Sequence, residues 1–250
     1  MTGSAPATGR RVRAVTLDYW DTLYTGASTR ERVAMRRRAV GELLAAYGRR
    51  LPDAELELVY LASAEAADRW WREEHRGYTT AERLRHLLTL AELTPRDACE
   101  HVATCARVVD EALDTYPPPL LDGAAAFVRT LAARMPIAII SDTGFASGEA
   151  QDRLLARDGL KDCFAARIYS ADIGWAKPRR EMFDAAMRTL GSLGITAAEV
   201  VHIGDIERTD VRGALSAGMR AIRLDAVRDG GPSEAELVAK SYDEVLAYLG

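Results

Sequence analysis

Arg13-Ala-Val-Thr-Leu-Asp18-Tyr-Trp-Asp-Thr22 begins as a short apolar, β-rich run and ends on an acid followed by a polar, aromatic turn. A run of this kind reads as a buried strand that delivers Asp18 to its tip. The strand needs a sheet to join, and its partners lie far along the chain. From Ser28 to Tyr116 apolar residues recur at helical spacing: Leu56, Val59, Tyr60, Ala64, Ala67, Trp70 and Trp71, then Leu84, Leu87, Leu88 and Ala91, then Val102, Cys105, Ala106, Val109, Ala112 and Leu113. Helix starts are signalled by Ser28 with Glu31, by Thr79 with Glu82, and by Thr94 followed by Pro95 and Asp97. Pro117-Pro118-Pro119 then stops the helical pattern, because proline cannot donate a ladder hydrogen bond and biases the residue before it toward extended backbone.

Beyond the prolines helix and strand alternate. We expect a helix over Asp122–Arg134, a strand over Ile137–Ile140, a helix to about Arg157 and a strand over Ala166–Tyr169. A helix over Arg180–Leu190, a strand over Val200–Ile203, a helix to Ala217, a strand over Ala221–Leu224 and a terminal helix follow. Such alternation predicts an α/β fold with parallel strands and helices on both faces. Residues 1–24 and 117–250 then form one sheet domain, and residues 25–116 are an all-helical insertion that acts as a lid over it. The charge run Arg30 to Arg38 is expected on the solvated face of its first helix.

Composition bounds the function. The 250 residues suit one large domain or one domain with an insertion, and 48% hydrophobic with 28% charged residues is an ordinary globular balance. Thirty-three basic against 37 acidic residues give a net charge of −4, which supplies no positive field for nucleic acid or an anionic membrane. Cys99, Cys105 and Cys163 are odd in number and lack CxxC spacing, so they read as small buried hydrophobes in a reducing compartment. No apolar signal segment and no run of about 18 apolar residues is present, and we expect a soluble cytoplasmic protein with a short loose N-terminal tail.

In open parallel sheets ligands bind beyond the carboxyl ends of the strands. Four such ends here carry Asp18, Ser141, Lys177 in a loop past its strand, and Asp205. Asp18 is a candidate nucleophile or metal ligand. Ser141-Asp142-Thr143-Gly144 supplies a hydroxyl and a turn of backbone amides suited to an anion. Lys177 can neutralise charge that builds up on a transferring group. Asp205 and Asp210 flank a strand-to-helix turn, and with Asp18 they set three acids against one lysine, so Mg2+ is the natural counter-charge.

The order Asp18 to Thr22, Ser141, Lys177-Pro178, Gly204-Asp205 to Asp210 resembles the haloacid dehalogenase superfamily of hydrolases over about residues 12–225. The resemblance implies a Rossmann-like core, a helical cap of that family's first type, and an aspartyl-enzyme intermediate. It implies Asp18 as nucleophile, Ser141 as a hydrogen-bond donor and Lys177 as an electrostatic clamp on a phosphorylated small molecule. Asp142 and Thr143 join Ser141 at the substrate, while Asp18, Asp205 and Asp210 hold Mg2+ with the backbone carbonyl of Trp20. The family usually has a second Asp, an acid and then a base, where this chain has Trp20, and an indole does neither job. Asp21, one residue on, is a candidate substitute or a turn cap.

An aromatic at that position also occurs in the metal-free 2-haloacid dehalogenases of the superfamily, which makes dehalogenation the rival reading. The pair Asp205 and Asp210, and the lack of any basic residue from Leu56 to Ala67 where those enzymes keep a substrate-binding arginine, speak against it. A non-catalytic phospho-ligand-binding protein is a second alternative. His75, Arg76 and Tyr78 form the segment expected to read the substrate, with Arg76 named as a contact, and Trp70 and Trp71 are expected mainly in packing. His202, inside a strand, reads as a structural histidine.

Overall fold

A computed structural model describes residues 11–95 and 100–250. The expected tail through residue 10, Asp97 and Cys99 lie outside the described residues. Strand β1 (Ala14–Leu17) is wholly buried. Four helices follow: α1 (Arg30–Ala46), α2 (Asp53–Arg72), α3 (Thr80–Leu90) and α4 (Glu100–Thr115). Thr79 and Glu82 form the expected capping box at the start of α3, whereas α1 is capped by Thr29 rather than Ser28, its hydroxyl accepting the Arg32 N–H. The alternating part comprises α5 (Ala124–Arg134), β2 (Ile137–Ser141), α6 (Gly148–Arg157), β3 (Phe164–Tyr169), a one-turn helix α7 (Ser170–Ile173) and α8 (Arg180–Ser192). It ends with β4 (Val200–Gly204), α9 (Arg212–Ser216), β5 (Arg220–Leu224), β6 (Leu237–Ala239) and α10 (Tyr242–Leu249).

The six strands form one parallel sheet in the order β3-β2-β1-β4-β5-β6. β1 lies in the interior of this order, with Val15 beside Ile137 on one side and Val201 on the other. The chain adds β2 and β3 to one flank and then returns to add β4, so the order of strand addition reverses at β1. A crevice at the carboxyl ends follows from that reversal, and Asp18 and Asp205 sit at its lip. β6 was not anticipated: three residues with one side chain fully buried carry too little periodicity to read.

Leu17, Phe127, Leu131, Ile139 and Leu154 belong to the core on one face of the sheet, and Ile140, Phe183, Val200 and Val211 to the core on the other. The four helices α1–α4 have an apolar core of their own, built on Val40, Leu43, Leu84, Leu87, Val102 and Val109. The two segments joining them to the sheet run side by side: Leu121 donates to the Leu23 carbonyl at 2.8 Å, Thr25 to that of Pro119 at 3.1 Å, and Tyr24 bridges antiparallel to Leu120.

The run Arg30 to Arg38 departs from expectation. Arg32 and Arg36, four apart and so on one stripe of α1, are buried, and the Arg36 Nε donates to the Val109 carbonyl of α4 at 3.2 Å. Among the described residues no helix is long and apolar enough to cross a membrane.

Candidate active site

Asp18 leaves the tip of β1 with its backbone N–H donating to the Ile203 carbonyl of β4 at 2.8 Å. Its side chain meets Lys177, whose backbone N–H donates to Asp142 Oδ1 at 2.9 Å, an anchor that fixes the loop after α7. The Lys177 ammonium donates to Asp18 Oδ1 at 2.5 Å and to Asp210 Oδ1 at 2.6 Å, and all three side chains are buried. Asp210 sits on a π-helical turn over Glu207–Val211, where its Oδ2 accepts the Ile206 N–H at 2.9 Å. A Cβ at position 204 would lie 2.4 Å from Asp210 Cγ, so only glycine lets this carboxylate lie across the end of β4. His202 uses both ring nitrogens, Nδ1 at 2.8 Å from Thr16 Oγ1 and Nε2 at 3.2 Å from Asp210 Oδ1, the satisfied state expected of a structural histidine.

Charge in this group is unevenly compensated. Burial pushes the Asp18 carboxyl well above the usual range, Lys177 works against this, and Asp210 and Asp205 reinforce it. Burial opposes the Lys177 charge as well, but Asp18, Asp210 and Asp142 together hold its pKa above that of an ordinary lysine. Asp210 is buried too, yet Lys177 and His202 keep it below the normal carboxylate range. Asp205 is raised, first by burial and then by Asp210. Its Oδ2 is buried without a hydrogen bond, although Arg228 Nη2 stands 2.9 Å away.

The donor set suits a hard cation. Asp18, Asp205 and Asp210 each offer one carboxylate oxygen, and these oxygens lie within 4.8 Å of one another. An orphaned carboxylate oxygen and an all-oxygen cluster fit Mg2+ rather than a thiophilic metal.

These groups line a cavity of about 360 Å³ between the sheet and the helical insertion. Asp18, Trp20, Asp142, Lys177, Asp205, Asp210 and Arg76, all anticipated from the sequence, are on its wall. Ser141 and Thr143 are not. Ser141 is wholly buried with its hydroxyl donating to Gln151 Oε1 at 2.8 Å, and the Thr143 hydroxyl lies 3.1 Å from that of Ser170. Arg76 reaches the cavity but pairs with Glu82 at 2.7 Å. Asp21 lines it with both oxygens engaged, Oδ1 by the Gly26 N–H at 2.7 Å and Oδ2 by Arg228 at 2.5 Å.

Three wall residues were not anticipated in their roles. Trp71 donates its indole N–H to Asp142 Oδ2 at 2.8 Å, tying the insertion to the sheet, while Trp70 packs edge-on to Tyr78 and His86 as expected of a packing residue. Arg83 and Arg228 also face the cavity. No motif flags either of them, since each follows only from which face of α3, or which bend of the loop after β5, turns inward.

Comparison with known proteins converges on one family. Residues 12–218 match the model of haloacid dehalogenase-like hydrolases. A stretch of 106 residues, 42% of this chain, is 31% identical to pyrimidine 5'-nucleotidase YjjG of Escherichia coli, and it spans less than half of that relative (45%). In structure the chain resembles a HAD phosphatase of Thermococcus onnurineus (TM-score 0.67, 20% identity, 96% of this chain and 98% of that one). It also resembles a 2-haloacid dehalogenase of Pseudomonas syringae (TM-score 0.65, 23% identity, 96% and 100%).

Proposed function

This chain belongs to the haloacid dehalogenase-like hydrolases, and from that premise we propose that it is a phosphatase for a small phosphorylated metabolite, working through an aspartyl-phosphate at Asp18. The observation that carries the reading is the Lys177 ammonium held between Asp18 and Asp210 at 2.5 and 2.6 Å, with the Asp205 carboxylate, whose Oδ2 lacks a hydrogen bond, in the same acidic cluster. An Asp18 oxygen attacks phosphorus in line, and the bond from phosphorus to the ester oxygen breaks with its electron pair going to the leaving group. Water then attacks the aspartyl phosphate, releasing inorganic phosphate and the free Asp18 carboxylate.

Lys177 stabilises charge spread over the equatorial oxygens, and burial makes that charge count for more than it would in water. Asp205 and Asp210, with Asp18 and the Trp20 carbonyl, would hold Mg2+, which when bound neutralises phosphoryl charge and relieves repulsion among the acids. Trp20 supplies no acid. Leaving groups that depart unprotonated, such as aryl oxides and anhydride phosphates, are therefore favoured, because general acid help is typically worth roughly 100- to 10,000-fold. Closure of the helical insertion as a cap excludes water from the cavity, and the Trp71 to Asp142 hydrogen bond supports that closed arrangement. We place the protein in the cytoplasm, in keeping with Cys105 and Cys163 as free thiols.

The test is release of p-nitrophenol from p-nitrophenyl phosphate, with Mg2+ and with chelator, by the wild type and by Asp18→Asn. Metal-dependent turnover that disappears in the folded variant is expected. The aromatic Trp20 favours one second reading, a metal-free dehalogenase; halide release from 2-chloropropanoate in chelator, without phosphatase turnover, would replace the first.

A further inference from the structure

Every cationic head on the cavity wall but one has an acid beside it. Lys177 has Asp18 and Asp210, Arg76 has Glu82, and Arg228 has Asp21 and Asp205. Arg83 is the exception among the described residues: it projects from α3, is 6% exposed, and its hydrogen-bond partners are neutral, the Ser63 hydroxyl at 3.1 Å and the Tyr78 phenol. Its guanidinium carbon lies 3.8 Å from the centre of the Phe145 ring, which covers a face of the fork. Burial draws its pKa down, as it must where no carboxylate compensates.

The groups that act on Arg83 are the phenols of Tyr78 and Tyr60, with no carboxylate among them, while Asp110 acts on its neighbour Arg36. Arg36, also buried, lies with its guanidinium carbon 5.6 Å from the same ring and donates its Nε to a backbone carbonyl. A buried guanidinium without an anion is costly, and the cavity carries this uncompensated cation on its helical side, from α3, while Asp18, Asp205 and Asp210 come from the sheet side. Arginine's planar fork matches a carboxylate or a phosphate, and a hydroxyl would satisfy its donors without neutralising its charge.

We propose that Arg83 and Phe145 form a second anion subsite, so that the substrate is a phosphate monoester bearing a second anionic oxygen group, a carboxylate or another phosphate, that reaches Arg83 on the helical side of the cavity while its phosphoryl group meets Asp18 on the sheet side. The proposal rests on the phosphatase reading for its substrate class. The test is calorimetric titration of the full chain, with Mg2+ present, using three phosphonates that are not hydrolysed: propylphosphonate, phosphonopropanoate and propane bisphosphonate. One of the two anion-tailed compounds should bind roughly 10- to 100-fold tighter than propylphosphonate, and which of them does so separates carboxylate from phosphate.

In Arg83→Gln that ratio should fall to about one, and Arg83→Lys should restore part of it. Equal binding of all three compounds by the wild type overturns the proposal with no variant needed. So does an advantage that survives Arg83→Gln, which would make Arg83 a packing residue. If Arg83→Gln does not fold, the wild-type ratio and Arg83→Lys decide. Turnover of p-nitrophenyl phosphate decides the phosphatase reading separately: an anion-tail advantage without turnover upholds the subsite and removes the catalysis.

Discussion

Asp21 occupies the left-handed region with φ of 55°, a conformation that aspartate and asparagine tolerate better than most residues. There its carboxylate closes the turn onto the Gly26 N–H and pairs with Arg228. Both oxygens are thus engaged in structure, and the turn-capping role weighed from the sequence accounts for them without proton transfer. Asp21→Asn keeps the backbone conformation and an oxygen for Gly26 while removing the charge opposite Arg228. Turnover of alkyl and aryl phosphates should therefore change by the same factor, within about two-fold, since general acid help would show as a far larger difference. Paired steady-state kinetics on the two ester types check this; a loss confined to alkyl esters would restore Asp21 as the proton donor.

At the scale of elements, the insertion meets the sheet through a backbone contact. Gly77 donates to the Gly174 carbonyl at 3.1 Å, Ala176 donates to that of His75 at 2.8 Å, and Arg76 bridges antiparallel to Trp175, two residues before Lys177. A Cβ at position 77 would lie 1.9 Å from the Ser170 carbonyl oxygen, so the two backbones touch where only glycine fits. Gly77→Ala should cost about 1–3 kcal/mol of stability in thermal or urea unfolding and raise KM, whereas Gly191→Ala, in α8 with open space around it, should cost nothing. An unchanged Gly77→Ala would mean that this contact does not hold the two parts together.

The elements differ in how far the sequence revealed them. The alternation after Pro119 was readable because β2, β4 and β5 each carry an apolar run and because β2 and β4 end on polar, chemically capable residues. β6 has three residues and little pattern, and the inward turn of Arg32, Arg36 and Arg83 depends on which neighbours their helices meet. The tips of β1 and β4 were legible as chemistry. Ser141 and Thr143 were legible only as residue types, because Gln151 and Ser170, which take up their hydroxyls, are remote in the reading of a strand end.

For the whole molecule, the position of β1 sets an order of events. It is made before all the other strands, yet its ladder partners begin at residues 137 and 200. At translation rates of about 5–20 residues per second, several seconds to tens of seconds separate its emergence from that of its second partner. During that interval α1–α4 can form from contacts close in sequence, while Ala14–Leu17 has one edge or both unpaired. A chain ending at Ile195 retains β1, β2 and β3 and lacks β4, and it should show no cooperative melt in β1, read as loss of amide-exchange protection over 14–17. Protection there would show that one neighbour suffices. A nascent strand left open on its edge is the surface that chaperones bind and that aggregates grow from, so for this protein the hazardous period of its life falls during synthesis, before Asp18 at the end of β1 has anywhere to stand.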